Sequence, residues 1–252
     1  LLLASKGEHA DLLLMSATPI PRTLALTLYG DLDVSTLSQF PFNQRKITTK
    51  VVSNRDALIH QTIKRAIQNR QRVFVVAPVI DVSSTGLVSV EELYKYYEKL
   101  YPGQVSLLHG QMNIEDKNYA LGEFITGQTP IIVSTSVIEV GIDVKEASTM
   151  VIYAPTSFGL ASLHQLRGRI GRDGNEAICL LVYDGEDEDE IDKLNVLVES
   201  NDGFYIAEED LRRRGPGELS GLRQSGITSF EFVNLIDDFK MFEYARNDAK
   251  AI

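Results

Sequence analysis

The sequence has one cysteine among its 252 residues and no long apolar run, and each scarcity excludes a class of protein. With Cys179 alone, the chain forms no internal disulfide, which fits a reducing cytosolic compartment. This cysteine lies in the apolar run 177–181, so we expect a buried structural thiol and not a nucleophile. No apolar stretch reaches the roughly 18–20 residues that a membrane-spanning helix needs. A membrane protein is therefore not expected.

A glycine-rich phosphate loop is also missing, because the pattern Gly-x-x-x-x-Gly-Lys-Ser/Thr does not occur. The four histidines and the single cysteine show no spacing typical of metal ligands, so we expect no metal site. Residues 1–6 contain neither an initiator Met nor the layout of a signal peptide. We therefore expect the chain to be a piece of a longer protein.

Acidic residues outnumber basic ones, 35 to 25, which at first argues against nucleic-acid binding. The excess is local, because residues 186–210 hold 11 acidic side chains and one basic side chain, Lys193. The rest of the chain has 24 residues of each sign and is neutral. The run 186–190 fits a solvated first helical turn, where carboxylates favour the positive end of the helix dipole. A functional acidic segment is the alternative.

Short apolar runs rich in β-branched residues alternate with helical patterns along most of the chain. This alternation is typical of a parallel sheet covered by helices, so we predict the α/β class. The predicted strands are Leu12–Ser16, Ile47–Val52, Arg72–Ala77, Val105–Leu108, Ile131–Ser134, Thr149–Tyr153 and Ala177–Tyr183. The predicted helices are Arg55–Gln68, Glu91–Leu100, Glu115–Ile125 and one from near Gly159 to Arg172. After Tyr183 the strands stop, and the helical tail should pack on the α/β block.

Two arginines, Arg169 and Arg172, follow Gly168 at the end of a helical pattern. A spacing of three places both guanidiniums on one face of a helix. Guanidinium is a planar, permanently charged fork that suits phosphate oxygens. An arginine delivered from outside stabilises the charge that develops on a γ-phosphate during hydrolysis. A basic helix end that complements its own dipole explains the same spacing equally well.

The residues around this pair resemble the motifs of superfamily 2 helicases. Gln165–Arg172 resembles motif VI, Val133–Val144 resembles motif V, and Ser16–Thr18 resembles motif III. The loop Leu108–Met112 resembles one that these motors use near DNA, and the extension Pro19–Thr23 narrows the likeness to RecG-like proteins and transcription-repair coupling factors. Residues 207–226 resemble the TRG element, named for translocation in RecG. The chain is therefore similar to RecG-type ATP-dependent DNA helicases over essentially its whole length.

The resemblance implies a RecA-like fold of the P-loop NTPase type, with a parallel sheet flanked by helices and a C-terminal helical hairpin. It divides the chain into residues 1–45, a remnant of helicase domain 1, residues 46–185, the RecA-like helicase domain 2, and residues 186–252, the helical TRG element. A lone strand and helix cannot form a domain. Residues 1–45 would therefore expose an apolar surface that self-associates or is disordered.

By this resemblance, Arg169 and Arg172 are catalytic, and three further residues join them in binding nucleotide: Gly141, Asp143 and Gln165. A second group contacts DNA or couples DNA movement to hydrolysis: Ser16, Thr18, His109, Gly110, Ser134, Thr135, Arg214 and Gln224. Simpler explanations stay open for some of them. Thr18 also fits a helix cap, Asp143 a turn, and His109 a hydrogen-bonded loop residue.

The resemblance further implies that the full-length protein is an ATP-dependent double-stranded-DNA translocase of the bacterial cytosol. It would drive branch migration and the reversal of stalled replication forks. Its cofactors would be ATP and Mg²⁺, with the Mg²⁺ ligands outside this chain, so this chain alone would hydrolyse ATP negligibly. Its partners would be replication forks and Holliday junctions, together with a wedge domain and helicase domain 1 of the same protein.

Two other functions stay open on the sequence alone: a transcription-repair coupling factor and a non-catalytic interaction module. The motor interpretation depends on Arg169 and Arg172. It fails if the two arginines are buried in internal ion pairs and point away from the open ends of the strands.

Overall fold

A computed structural model describes residues 46–80, 88–136 and 144–214, together with the isolated residues 15, 35, 241, 244, 245, 248 and 249. Apart from Met15, the predicted strand Leu12–Ser16 lies outside these residues, as do several predicted site residues: Ser16, Thr18, Gly141, Asp143 and Gln224. For Arg214 the backbone alone is described. The expectations for these residues, and for a surface on residues 1–45, stay predictions.

The described strands are β1 (Ile47–Val52), β2 (Arg72–Val76), β3 (Val105–Leu108), β4 (Ile131–Ser134), β5 (Ala147–Tyr153) and β6 (Ala177–Val182). They form one six-stranded sheet in the order β1-β6-β5-β2-β4-β3, and every neighbouring pair is parallel. Three strands have the predicted bounds, and the other three differ by one or two residues. The predicted α/β class with a parallel sheet is confirmed.

The described helices are α1 (Ala57–Gln68), α2 (Val90–Leu100), α3 (Ile114–Thr126), α4 (Leu160–Arg167), α5 (Glu188–Glu199) and α6 (Gly203–Arg214). The side chains of Asp56, Ser89 and Asn113 accept hydrogen bonds from first-turn amides, which explains where α1, α2 and α3 begin. Gly127, in the left-handed conformation, ends α3. No helix in the described ranges is long and apolar enough to span a bilayer.

The sheet is buried on both faces, which explains why its strands are near-continuous apolar runs. Alternate residues of β2 point to opposite faces. Val73 and Val75 belong to a core cluster with side chains of α1 and α2, whereas Phe74 and Val76 belong to a second cluster with side chains of α3, α4 and α5. Helices cover both faces of this parallel sheet. The places left for functional groups are therefore its two edges, meaning the side where the strands begin and the side where they end.

Helix α4 ends earlier than predicted. The prediction carried it to Arg172, but α4 ends at Arg167 and the chain continues in a tighter turn, in which the Arg169 amide donates to the Leu166 carbonyl oxygen at 2.9 Å. Gly171 then adopts a φ of 67°, in the left-handed region that L side chains rarely occupy. The prediction that Arg169 and Arg172 share one helix face is therefore wrong, because both lie in the turns after the helix.

The acidic run begins a helix, as predicted. The Asp187 carboxylate accepts hydrogen bonds from the amides of Asp189 and Glu190 at 3.0 and 3.4 Å. Glu188, Asp189 and Glu190 form the first turn of α5, where their charges complement the positive end of the helix dipole. The interpretation of residues 186–190 as a solvated helix start is confirmed.

The chain divides into two compact units, Ser35–Asp210 and Leu1–Val34 with Leu211–Ile252. Within the first unit, α5 and α6 contribute Leu194, Leu197 and Ile206 to the core cluster that also holds α4. The expectation that the helices after Tyr183 pack on the α/β block agrees with these contacts. The predicted boundaries at 45/46 and 185/186 stay predictions.

A buried arginine satisfies the carboxyl end of α3. Arg72, at the start of β2, donates from Nε to the Phe124 carbonyl oxygen at 2.8 Å and from Nη2 to the Ile125 carbonyl oxygen at 3.2 Å. Its Nη1 donates to the Arg70 carbonyl oxygen at 2.7 Å. The positive charge therefore lies where the dipole of α3 is negative, and it replaces the missing helical donors of the last turn.

The thiol of Cys179 should be unreactive in the folded protein. It is buried in β6, and desolvation raises its pKa from 9.0 to about 12. At pH 8 this shift lowers the thiolate fraction by roughly 10³-fold, before burial blocks access. We expect no alkylation by iodoacetamide at pH 8 in buffer and complete alkylation in denaturing urea, measured by intact mass. Rapid alkylation of the folded protein would contradict the burial.

Candidate nucleotide and DNA sites at opposite edges of the sheet

The arginine segment, Gln165–Arg172, lies at the edge of the sheet where β5 and β6 begin. The amide of Gly171 donates to the carbonyl oxygen of Ala147, the first residue of β5, at 2.9 Å. Leu166 and Ile170 are both fully buried and anchor the segment in the core. These contacts fix the backbone from which Arg169 and Arg172 extend.

Arg169 and Arg172 are both partly exposed. The Arg172 Nε donates to the Gly168 carbonyl oxygen at 3.3 Å, which holds the first part of this side chain against the turn. Gln165, on α4, is also partly exposed. The condition under which the motor interpretation fails requires a buried pair, and neither arginine is buried.

Gly171 lies between the two arginines and determines the direction of the chain there. Besides its positive φ, a Cβ at this position would lie 3.0 Å from the Cβ of Ala177. Glycine is therefore required by both conformation and space. It turns the chain between Ile170 and Arg172, before the chain enters β6 at Ala177.

A second group of predicted site residues lies at the opposite edge, where β3 and β4 end. Leu108 and Ser134, the last residues of β3 and β4, are in register. His109, Gly110 and Thr135 follow these strand ends directly. The structure therefore brings together four residues that the sequence assigned to DNA: His109, Gly110, Ser134 and Thr135.

Two polar side-chain atoms at this edge are buried without a hydrogen-bond partner among the described residues: His109 Nδ1 and Ser134 Oγ. Leaving a buried donor or acceptor unsatisfied costs about 1–3 kcal/mol. His109 otherwise takes part in a tight loop, since its amide donates to Met112 Sδ at 3.4 Å.

Lys117 is a residue of this edge that the sequence reasoning missed. Its Nζ donates to the Gly110 carbonyl oxygen at 2.7 Å and so brings a positive charge next to His109. The signal was available, because Lys117 lies one turn into the helix that follows the loop Leu108–Met112. Among the described residues, no cluster of three His, Cys, Asp or Glu side chains fits a metal ion.

Arg167 was also missed, and it is the most buried arginine described, with 2% of its surface exposed. Its Nη1 donates to the carbonyl oxygens of Leu197 at 2.6 Å and Ser200 at 3.0 Å, at the carboxyl end of α5, and contacts Thr49 Oγ1 at 3.3 Å. Its Nη2 lies 3.0 Å from His164 Nδ1. Desolvation lowers the pKa of Arg167.

The amino end of α4 has a partner from α6. Gly159 precedes the helix and has no side chain to cap it. The Asp210 carboxylate accepts a hydrogen bond from the Leu160 amide at 3.0 Å, across 50 residues of sequence. Nothing in the sequence near Asp210 indicates this contact, because its partner is a backbone amide in a distant segment.

Two family models match the chain. The "Helicase conserved C-terminal domain" matches residues 54–174, and "ATP-dependent DNA helicase RecG, domain 3, C-terminal" matches residues 200–252. The first includes both arginines and the polar group at the opposite edge. The second begins at the carboxyl end of α5.

Curated relatives and a solved structure match nearly the whole chain. The ATP-dependent DNA helicase RecG of Thermotoga maritima is 42% identical over 254 residues, covering 99% of this chain and 33% of the relative. That of Synechocystis sp. is also 42% identical, covering 99% and 31%. A structure of RecG bound to a three-way DNA junction is 41% identical with a TM-score of 0.73, covering 94% of this chain and 31% of that one.

The chain spans about a third of the length of the curated relatives it matches. The structural match includes the RecA-like sheet, and the second family model runs to residue 252. The relatives, the solved structure and the second family model all point to RecG. Together they show that this chain belongs to the RecG family of ATP-dependent DNA helicases.

Proposed function

We propose that this chain is the arginine-bearing half of a longer ATP-dependent motor that translocates on double-stranded DNA. The motor would drive branch migration and reverse stalled replication forks in the cytosol. The observation that carries this proposal is the arginine segment: two partly exposed arginines, fixed at one edge of the sheet by buried neighbours, in a chain of the RecG family.

In this proposal the chain supplies the positive charge for phosphate, and the Mg²⁺ ligands lie outside this chain. Arg169 and Arg172 would contact the phosphates of ATP held by a partner domain of the same protein, and Gln165 would contact the nucleotide from α4. Gly141 and Asp143 would contact the sugar end. ATP with Mg²⁺ provides the phosphoanhydride bond that is hydrolysed. The two guanidiniums neutralise charge that develops as that bond breaks.

The opposite edge would bind the DNA backbone. Ser134 and Thr135 offer hydroxyls at a strand end, Gly110 allows close approach, and Lys117 adds a positive charge. Arg169 and Arg172 lie at the opposite edge of the sheet from Ser134 and Thr135, so rotation of that sheet upon ATP binding would move DNA.

Branched DNA is the proposed partner, in line with the relative whose structure holds a three-way junction. Arg214 and Gln224 would transmit the movement of the motor to the DNA path. Helicase domain 1, to which residues 1–45 would belong, and a wedge domain complete the motor in this proposal. The domain boundaries proposed from the sequence, 46–185 for the motor domain and 186–252 for the TRG element, follow the same scheme.

A fork-reversal assay tests the function. We expect the full-length protein to convert a synthetic stalled fork into a four-way junction only when ATP and Mg²⁺ are present. Native gel electrophoresis measures this conversion. Arg214→Ala should leave hydrolysis largely intact and impair conversion, since it would act on coupling. Arg65→Ala, an exposed arginine on α1, is the matched control and should behave as wild type. Fork conversion without ATP, or no fork conversion by the wild-type protein, would contradict the proposal.

A further inference from the structure

We propose that Asp210 and Arg167 are positioning residues that hold the two ends of α4 against α6 and α5, and so set the position of the arginine segment. The inference deepens the proposed function and rests on it for its catalytic consequence. Its structural part stands on two sets of hydrogen bonds at opposite ends of one short helix.

The amino end of α4 depends on Asp210. The first four amides of a helix have no partner within it, and a side chain at the residue before the helix usually supplies one. Here that residue is Gly159, which has none, and the Asp210 carboxylate on α6 accepts from the Leu160 amide instead. Its negative charge also complements the positive end of the α4 dipole. The start of α4 is thus held by α6.

The carboxyl end of α4 depends on Arg167. This last residue of the helix donates to the carbonyl oxygens of Leu197 and Ser200, which are among the unpaired acceptors at the end of α5. The same guanidinium contacts Thr49 on β1 and His164 on α4. The end of α4 is thus held by α5 and by β1, the outermost described strand on that side of the sheet.

These two restraints bear directly on the arginines. α4 has eight residues, so it spans about 12 Å as one rigid element. Arg169 follows its last residue by two positions, and a displacement at either end of the helix is carried to it. Hydrogen bonds to phosphate tolerate little displacement, and a shift of about 1 Å in a positioned group costs up to about 10²-fold in rate.

The test uses Asp210, because truncation of a buried guanidinium threatens folding itself. In the full-length protein, Asp210→Ala should lower kcat for DNA-stimulated ATP hydrolysis by about 10-fold or more and change KM for ATP by less than about twofold. Asp210→Asn should recover most of kcat, because its amide oxygen still accepts from Leu160. Asp192→Ala removes an exposed carboxylate of α5 as the matched control and should match the wild type.

Hydrogen–deuterium exchange separates this inference from the proposed function. Asp210→Ala should speed exchange of amides from Leu160 through Ile170 by at least about 10-fold, with the protein otherwise protected as in the wild type. Exchange confined to Leu160, or unchanged throughout, overturns the positioning role whatever the ATPase shows. Faster exchange through Ile170 in a protein whose wild type lacks DNA-stimulated ATPase would leave the positioning intact and overturn the proposed function alone.

Discussion

Replacing Arg172 with alanine in the full-length protein should lower kcat for ATP hydrolysis by about 10³- to 10⁵-fold. The guanidinium neutralises charge that grows on the phosphate oxygens only as the bond breaks, so its loss raises the barrier with little effect on ground-state binding. Arg169→Ala should show a loss of the same order. Turnover measured with saturating fork DNA and ATP gives kcat, and filter binding gives fork affinity, which should change by less than about threefold.

Two further variants sharpen this result. Arg172→Lys should restore little of the lost rate, because an ammonium cannot reproduce a planar fork with two donors. Arg65→Ala, which removes an exposed arginine of α1, should retain wild-type kcat. If Arg172→Ala turned over at the wild-type rate, the arginine would have no catalytic role and the segment would serve structure alone.

Replacing Arg167 with alanine should lower the free energy of unfolding by about 3 kcal/mol, which is a large share of the roughly 5–15 kcal/mol typical of a domain. Hydrogen bonds from charged donors contribute about 1.5–3 kcal/mol each. The change also leaves the Leu197 and Ser200 carbonyl oxygens without this donor and opens a cavity beside Thr49. Removing the guanidinium also removes the free-energy cost of burying its charge, which limits the net loss of stability.

Urea unfolding of the two arginine variants separates stability from catalysis. Arg172→Ala, five residues away, should change the free energy of unfolding by less than about 1 kcal/mol, because Arg172 is partly exposed. Arg167→Ala should shift the midpoint to clearly lower urea with little change in slope. Equal midpoints for Arg167→Ala and wild type would mean that its hydrogen bonds merely balance the cost of burying its charge.

Most of the sheet could be predicted from the sequence because each strand is a short, β-branched run with helical periodicity on either side. β1, β3 and β4 have the bounds read from the sequence. β5 is two residues longer than predicted, because Ala147 and Ser148 carry no β-branched signal. Ala147 nevertheless pairs with Arg72 of β2, and Ser148 lies at the irregularity between the Ala147 and Thr149 pairings. Helix starts were predictable to within two residues where an Asp, Ser or Asn cap precedes them.

The candidate site was predicted as a list of residues better than as a geometry. The motif pattern found the two arginines, but their spacing suggested a helical face, whereas Gly171 demands a turn. Residues whose partners are backbone atoms far along the chain left no local signal. Arg167 contacts Thr49 at a separation of 118 residues, and Asp210 contacts Leu160 at a separation of 50. Such contacts depend on how α4, α5 and α6 pack.

The two buried arginines have a practical consequence for handling the protein. Arg72 and Arg167 are both satisfied largely by carbonyl oxygens of helix ends, and only 9% and 2% of their surfaces are exposed to water and dissolved ions. Sodium chloride weakens contacts between exposed opposite charges. It has little effect on the hydrogen bonds between a buried guanidinium and neutral carbonyl groups. Washing at ionic strengths that strip adhering nucleic acid should therefore leave the purified sheet and its helices folded.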